Sequence, residues 1–123
     1  MQCPFIPINK WQVKHAGPFK ILIADTLCKR SQGLQGVPHL PKNTFMYFPG
    51  VQPGSSFHTN NCLFKMDICP VSRHGQLLDI FTAAPKSNRV GPMPPNTAAV
   101  LEAPAHWFIN NGYGKGDYFP FIA

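Results

Sequence analysis

This 123-residue chain is short of charge, and of acids above all. Asp, Glu, Lys and Arg together make up 13% of it, against about 25% in a typical soluble domain. Five acids stand against eleven Lys and Arg, a formal net charge of +6. Chemistry that needs two positioned carboxylates is therefore thinly provided for. No run approaches about 18 consecutive apolar residues, which excludes a transmembrane helix. There is no Cys-x-x-Cys, and no Cys or His pair has zinc-finger spacing, so neither a metal nor another cofactor is expected. A phosphate loop, a Gly-x-Ser-x-Gly elbow, a His-x-x-x-His pair and a dinucleotide fingerprint are all missing. The opening "MQCPFIPINKWQVK" has no basic segment followed by an apolar one. The expectation is cytoplasmic synthesis without a signal peptide.

The basic residues are scattered, with only Lys29 and Arg30 adjacent. No recognition motif accompanies them, so they read as dispersed solvated charges rather than a nucleic-acid surface. What the chain does have is 14 Pro, 10 Gly and an ordinary 44% of hydrophobic residues. One domain with a real core is the default at this length. A skin so poor in charge has two explanations. The domain is neutral and loop-rich, or partner proteins cover much of it, since interface cores are depleted in charge.

Cys3, Cys28, Cys62 and Cys69 lie far apart in the sequence. On one continuous strand Cys62 and Cys69 would face opposite sides, about 23 Å apart. Four free thiols acting as small hydrophobes are expected. His58 lies near Cys62, but a Cys-His nucleophile is recognised in space, and four cysteines with five histidines give many accidental pairs.

Residues 1–18, with three prolines and Gly17, read as an irregular arm. "FKILIADT" (19–26) reads as a strand, followed by a short helix over 26–34 bracketed by a capping Asp25 or Thr26 and by Gly33. Further strands are expected at "TFMYF" (44–48), "LFKMDICPV" (63–71), "LLDIFTAAP" (77–85) and "TAAVLEA" (97–103). "FHTNN" (57–61) reads as extended, and Pro70 should mark an edge or a bulge. Pro104 and Gly112 bracket a second helix over 104–111, and "KGDYFPFI" closes with a turn and a last strand. About six short strands and two short helices make a mainly β (β-rich α+β) chain, a single small barrel- or sandwich-like domain over 19–123.

The order of these motifs resembles the DUF192 family, small β-barrel-like domains of unknown biochemical function. "ADTLCKRSQGL" is similar to its Arg-x-x-Gly-Leu helix, placing Arg30, Gly33 and Leu34 on the motif. "FMYFPGVQPGSSF" resembles its Gly-Met-Leu-Phe-x-Phe strand and loop. "FHTNNCLFKMDICPVSRHGQLLDI" resembles its Phe-Trp-Met-Lys-Asn-Thr strand and Leu-Asp pair, with Asn61 and Asp67 on the family's Asn and Asp. "AAVLEAPAHWFINNG" and "KGD" resemble its Val-Leu-Glu strand and final turn. Where the family has Trp-Met-Lys this chain has His58-Thr59-Asn60, and Cys62 replaces the Thr. The likeness covers residues 19–122 and implies the fold.

Asp67, isolated in an apolar strand, must find donors or become neutral. Asn61, loop amides or Arg30 are the donors expected, and the first reading is a structural brace. The alternative is the floor of a polar ligand pocket formed by Asn61, Asp67, His58 and Arg30, with Glu102 and Asp79 as the nearest possible second carboxylates. For the whole chain the first expectation is a non-enzymatic assembly module. It would be held among other protein subunits, copies of itself included, with a virion as one candidate setting. Phe5, Ile6, Ile8 and Trp11 of the arm would be its contact surface. A small-molecule or glycan-binding domain is the alternative, and a hydrolase built on Asp67 or Cys62 ranks third. No specific nucleic acid and no membrane is expected as a partner.

Overall fold

The computed structural model describes residues 3–119. Six strands form one mixed sheet: β1 (Val13–Ala16), β2 (Phe19–Ile23), β3 (Thr44–Pro49), β4 (Met66–Val71), β5 (Phe81–Ala83) and β6 (Ala99–Pro104). Two short helices accompany them, α1 (Leu27–Gln32) and α2 (Trp107–Asn110), with a 3-10 turn at Ile8–Lys10. The strand order is β1-β2-β3-β6-β4-β5. The mainly β class and the two short helices are as the sequence indicates. The sheet does not close into a barrel: β1 and β5 are its two edges. All pairings are antiparallel except β2 with β3, which α1 and the loop after it join as a crossover.

The arm is less irregular than its prolines imply. Val13 to Ala16 pairs with Phe19 to Leu22 across a Gly17-Pro18 turn, with Gly17 at a φ of 58°. Four residues with weak alternation do not announce a strand; β2 supplies the hydrogen-bonding edge that makes them one. Pro70 marks an irregularity in the pairing, as expected: Ile68 pairs with Phe81 but Val71 bridges Leu77, one residue out of that register, so the returning segment bulges by one residue opposite Cys69 and Pro70. β5 ends opposite Ile68, so the side of Pro70 that lacks an N–H points past it, and the Pro70 carbonyl accepts from Leu78 N at 2.9 Å. Pro104 ends β6 opposite Met66 instead of opening α2. The helix starts at Trp107 after a left-handed His106. "FHTNN" contributes only a single bridge, Phe57 to Val90. The expected closing strand lies partly outside the described residues; within them Tyr118 makes one bridge to Gln76.

Side chains alternate across the sheet and feed two cores. One face carries Leu22, Met46, Phe48, Met66, Ile68 and Val100, covered by Trp11, Leu34, Val37, Leu40 and Met93. The other carries Phe45, Cys69, Val71, Leu101 and Ala103, covered by Phe108 and Phe119, with Phe19, Trp107 and Tyr113 at its margin. The second core is largely aromatic, with Phe45 and Trp107 edge-to-face at 4.6 Å. Such geometry contributes about 0.5–1.5 kcal/mol per pair beyond burial.

The expectation of four free thiols is overturned. Cys3 and Cys28 form a disulfide, and only Cys62 and Cys69 are free, both buried. The arm folds back along α1 and brings Cys3 to the helix, a contact 25 residues apart in sequence that spacing does not reveal. Thiol titration of the denatured, non-reduced protein should therefore find the two groups of Cys62 and Cys69. Prior reduction should expose all four cysteines, and four groups without reduction would reject the pairing.

Candidate functional site

The site begins with α1. Thr26 caps it, its Oγ1 accepting from Lys29 N at 3.2 Å, and Gly33 ends it at a φ of 50°. No residue of this six-residue helix is fully buried, so its own packing cannot hold it, and helices this short are marginal alone. The arm fastens it. Gln32 grips the backbone of Ile6 at both ends, accepting from Ile6 N at 2.9 Å and donating to Ile6 O at 2.8 Å. Trp11 donates to the same carbonyl at 3.0 Å and lies under the Lys29 ammonium, 5.5 Å from ring centre to nitrogen. Cys28 joins Cys3. On the far side the Arg30 guanidinium donates to the carbonyl of Pro49. Gly50, next in the chain, has a φ of 72°, and a Cβ there would sit 3.2 Å from the Arg30 guanidinium.

Beneath this helix lies a cavity of about 410 Å³. α1 and the turn after it form one wall, from Arg30 to Gln35; Phe48, Gly50 to Gln52 and Ser55 to His58 form the facing one. The Phe48 and Phe57 rings meet edge-to-face at 5.2 Å. Cys62 and Glu102 complete the lining.

Glu102 is the unusual member. It sits in β6, opposite Met46 of β3 and Ile68 of β4, in the middle of the sheet and 4% exposed. Among the described residues no hydrogen-bond donor or cation meets its carboxyl. Burial pushes its pKa up from the ordinary 4.5 to about 8, so near neutrality the cavity floor holds an uncharged carboxylic acid. That group both donates and accepts a hydrogen bond. Burial first, and the Glu102 charge second, raise the Cys62 thiol to about 11. It is a neutral thiol and a poor nucleophile.

The structure divides the residues singled out from the sequence. Arg30 and His58 line the cavity. Asn61 stands exposed at its edge, donating to Gln35 Oε1 at 2.9 Å. Asp67 is elsewhere. It pairs with Ala103, one residue along from Glu102, so strand alternation sends it to the opposite face. There it is 1% exposed. Its Oδ1 accepts from Thr82 Oγ1 at 2.8 Å and from His106 N at 3.1 Å, while Oδ2 has no partner. Neither Asn61 nor Arg30 supplies its donors, because the chain turns at 60–61 and β4 starts only at Met66. In the arm, Trp11 is 4% exposed within the core, Ile6 and Ile8 pack against it, and only Phe5, at 58%, faces solvent. The sequence signal for Glu102 is an acid inside "AAVLEAP" on the same alternating face as Val100.

The DUF192 family, described as Uncharacterized ACR, matches residues 10–121. No curated protein matches the chain. Among solved structures, a protein of unknown function from Novosphingobium aromaticivorans DSM 12444 is 25% identical, covering 81% of this chain and 73% of that one, with a TM-score of 0.73. A candidate transcription regulator from Sinorhizobium meliloti 1021 is 22% identical, with coverage of 81% and 79% and a TM-score of 0.70; this second likeness is one of fold alone.

Two outcomes follow from the two buried acids. Asp67→Ala strands the Thr82 hydroxyl and the His106 amide, and should cost about 1–3 kcal/mol in urea unfolding. An unchanged midpoint would remove its bracing role. For Glu102, the folded chain keeps the proton up to about pH 8, whereas the unfolded chain releases it near the ordinary carboxylate value. Its contribution to stability is full below that value and is lost as pH rises to about 8. Urea melts between pH 5 and 8 should show a decline that Glu102→Gln flattens; parallel curves would contradict the assignment.

Proposed function

This chain belongs to the DUF192 family, and from the cavity under α1 we propose that it is a binding domain for a small, uncharged, polyhydroxylated molecule of the glycan type. The observation that carries this reading is Glu102, a carboxyl without a partner among the described residues, at the floor of a concave site. A buried polar group normally has a partner, and a ligand hydroxyl, donor and acceptor at once, matches a neutral acid. The rest of the lining agrees. The Phe48 and Phe57 pair offers an apolar surface to the C–H face of a sugar ring. Gln52, Ser55, Ser56 and Arg30 place uncharged and donating groups around it. Polar side chains outnumber apolar ones in the lining, the complement that a ligand rich in hydroxyl donors and acceptors needs.

Three rival readings have less support. A glycosidase needs two carboxylates flanking one bond, and Glu102 is the only Asp or Glu among the residues lining this cavity. A thiol hydrolase needs a thiolate, and Cys62 is held protonated. The assembly reading relied on an apolar arm free to lie on a neighbour; Trp11, Ile6 and Ile8 are engaged with this domain's own core, which favours binding over assembly.

The test is thermal unfolding at pH 6.5 with a panel of neutral mono- and disaccharides. A ligand present at about a hundred times its Kd should add about 2.7 kcal/mol of stability, a rise of several degrees in Tm. Glu102→Leu should abolish the rise for the same sugar. No shift with any member of the panel, or an equal shift in the variant, would reject the proposal.

A further inference from the structure

We propose that the Cys3–Cys28 disulfide is a redox latch on the cavity: reduction frees the arm from α1 and loosens the wall that α1 supplies. As regulation of ligand binding this rests on the reading above; the opening itself does not. α1 lends the cavity Arg30, Ser31 and Gln32, and the turn after it lends Gly33, Leu34 and Gln35. The helix buries none of its own residues fully. Its attachments to the arm are one covalent bond, the reciprocal Gln32–Ile6 hydrogen bonds and the Lys29–Trp11 stacking. Trp11 and Ile6 seat the arm on the core, and the disulfide is the one covalent tie between that seated arm and α1. Local opening of such a segment needs far less free energy than unfolding the two cores.

The chemistry balances with a dithiol as reductant. One thiolate of the dithiol attacks Sγ of the exposed Cys3, and Cys28 leaves as a thiolate. The second thiol then attacks the mixed disulfide and releases Cys3. Two electrons and two protons pass to the protein, giving two cysteine thiols and the cyclic disulfide of the reductant. The reverse exchange closes the latch. The α1 wall of the cavity is thus fastened where thiols are oxidised and loosened where they are reduced.

The two free cysteines report the event without any ligand. Cys62 lines the cavity at 5% exposure, whereas Cys69 is fully buried in the opposite core. Alkylation by iodoacetamide at pH 8, followed site by site by mass spectrometry, compares three samples: the oxidised protein, the protein reduced with dithiothreitol and desalted without air, and the Cys3→Ser/Cys28→Ser variant. Cys62 should react about tenfold faster in the last two, with Cys69 as slow as before, the pattern of a local opening. Three results would overturn the latch: an unchanged Cys62 rate, Cys62 and Cys69 accelerating together, or acceleration in the variant but not in the reduced native protein. Because no sugar is involved, a negative sugar panel leaves this result untouched, and a failed latch leaves the binding reading intact.

Discussion

β6 is hydrogen-bonded on both sides, to β3 and to β4, and the rest of the molecule is arranged around that constraint. A strand paired on both edges cannot slip or rotate, so each of its side chains is assigned to one face of the sheet. Val100 and Glu102 face the half covered by α1, Trp11 and Met93; Leu101 and Ala103 face the aromatic half under α2. A one-residue shift would exchange these sets, burying Glu102 among Phe45, Phe108 and Phe119 and leaving the cavity with an apolar floor.

The same alternation separates the two buried acids, which have different surroundings. Asp67 meets a threonine hydroxyl and the amide that precedes α2, and so ties β4, β5 and the turn before the helix together. Among the described residues no donor meets the Glu102 carboxyl, and it faces the cavity. The first arrangement gains from staying shut. The second holds an unpaired polar group in low dielectric, a cost that a ligand can offset. Its elevated pKa is the electrostatic expression of that cost. It keeps the floor of the cavity uncharged near neutrality.

The roof over Glu102 is built differently from its floor. The floor is a sheet with paired backbone and packed faces on both sides. The roof is one six-residue helix, held by a capping threonine, an arginine bonded to the Pro49 carbonyl and a folded-back arm. Rigid floor and lightly fastened wall differ in local stability, and the covalent bond to Cys3 lies at the boundary between them.

Most strands and the first helix were legible from short-range signals: "TFMYF" and "AAVLEAP" from β propensity, α1 from Thr26 and Gly33, the family from the order of its motifs. Errors came where a distant partner decides the local outcome. Val13–Ala16 is a strand because β2 lies beside it. Pro104 belongs to β6 because Met66 pairs with it. Asn61 and Asp67, six positions apart, part company because the chain turns between them. Local sequence carries propensity, capping and alternation, and these determined the class and the elements. Which face an acid looks into, which cysteine meets which and what an unpaired carboxyl faces depend on the pairing of segments far apart in the chain. Only the assembled sheet decided those.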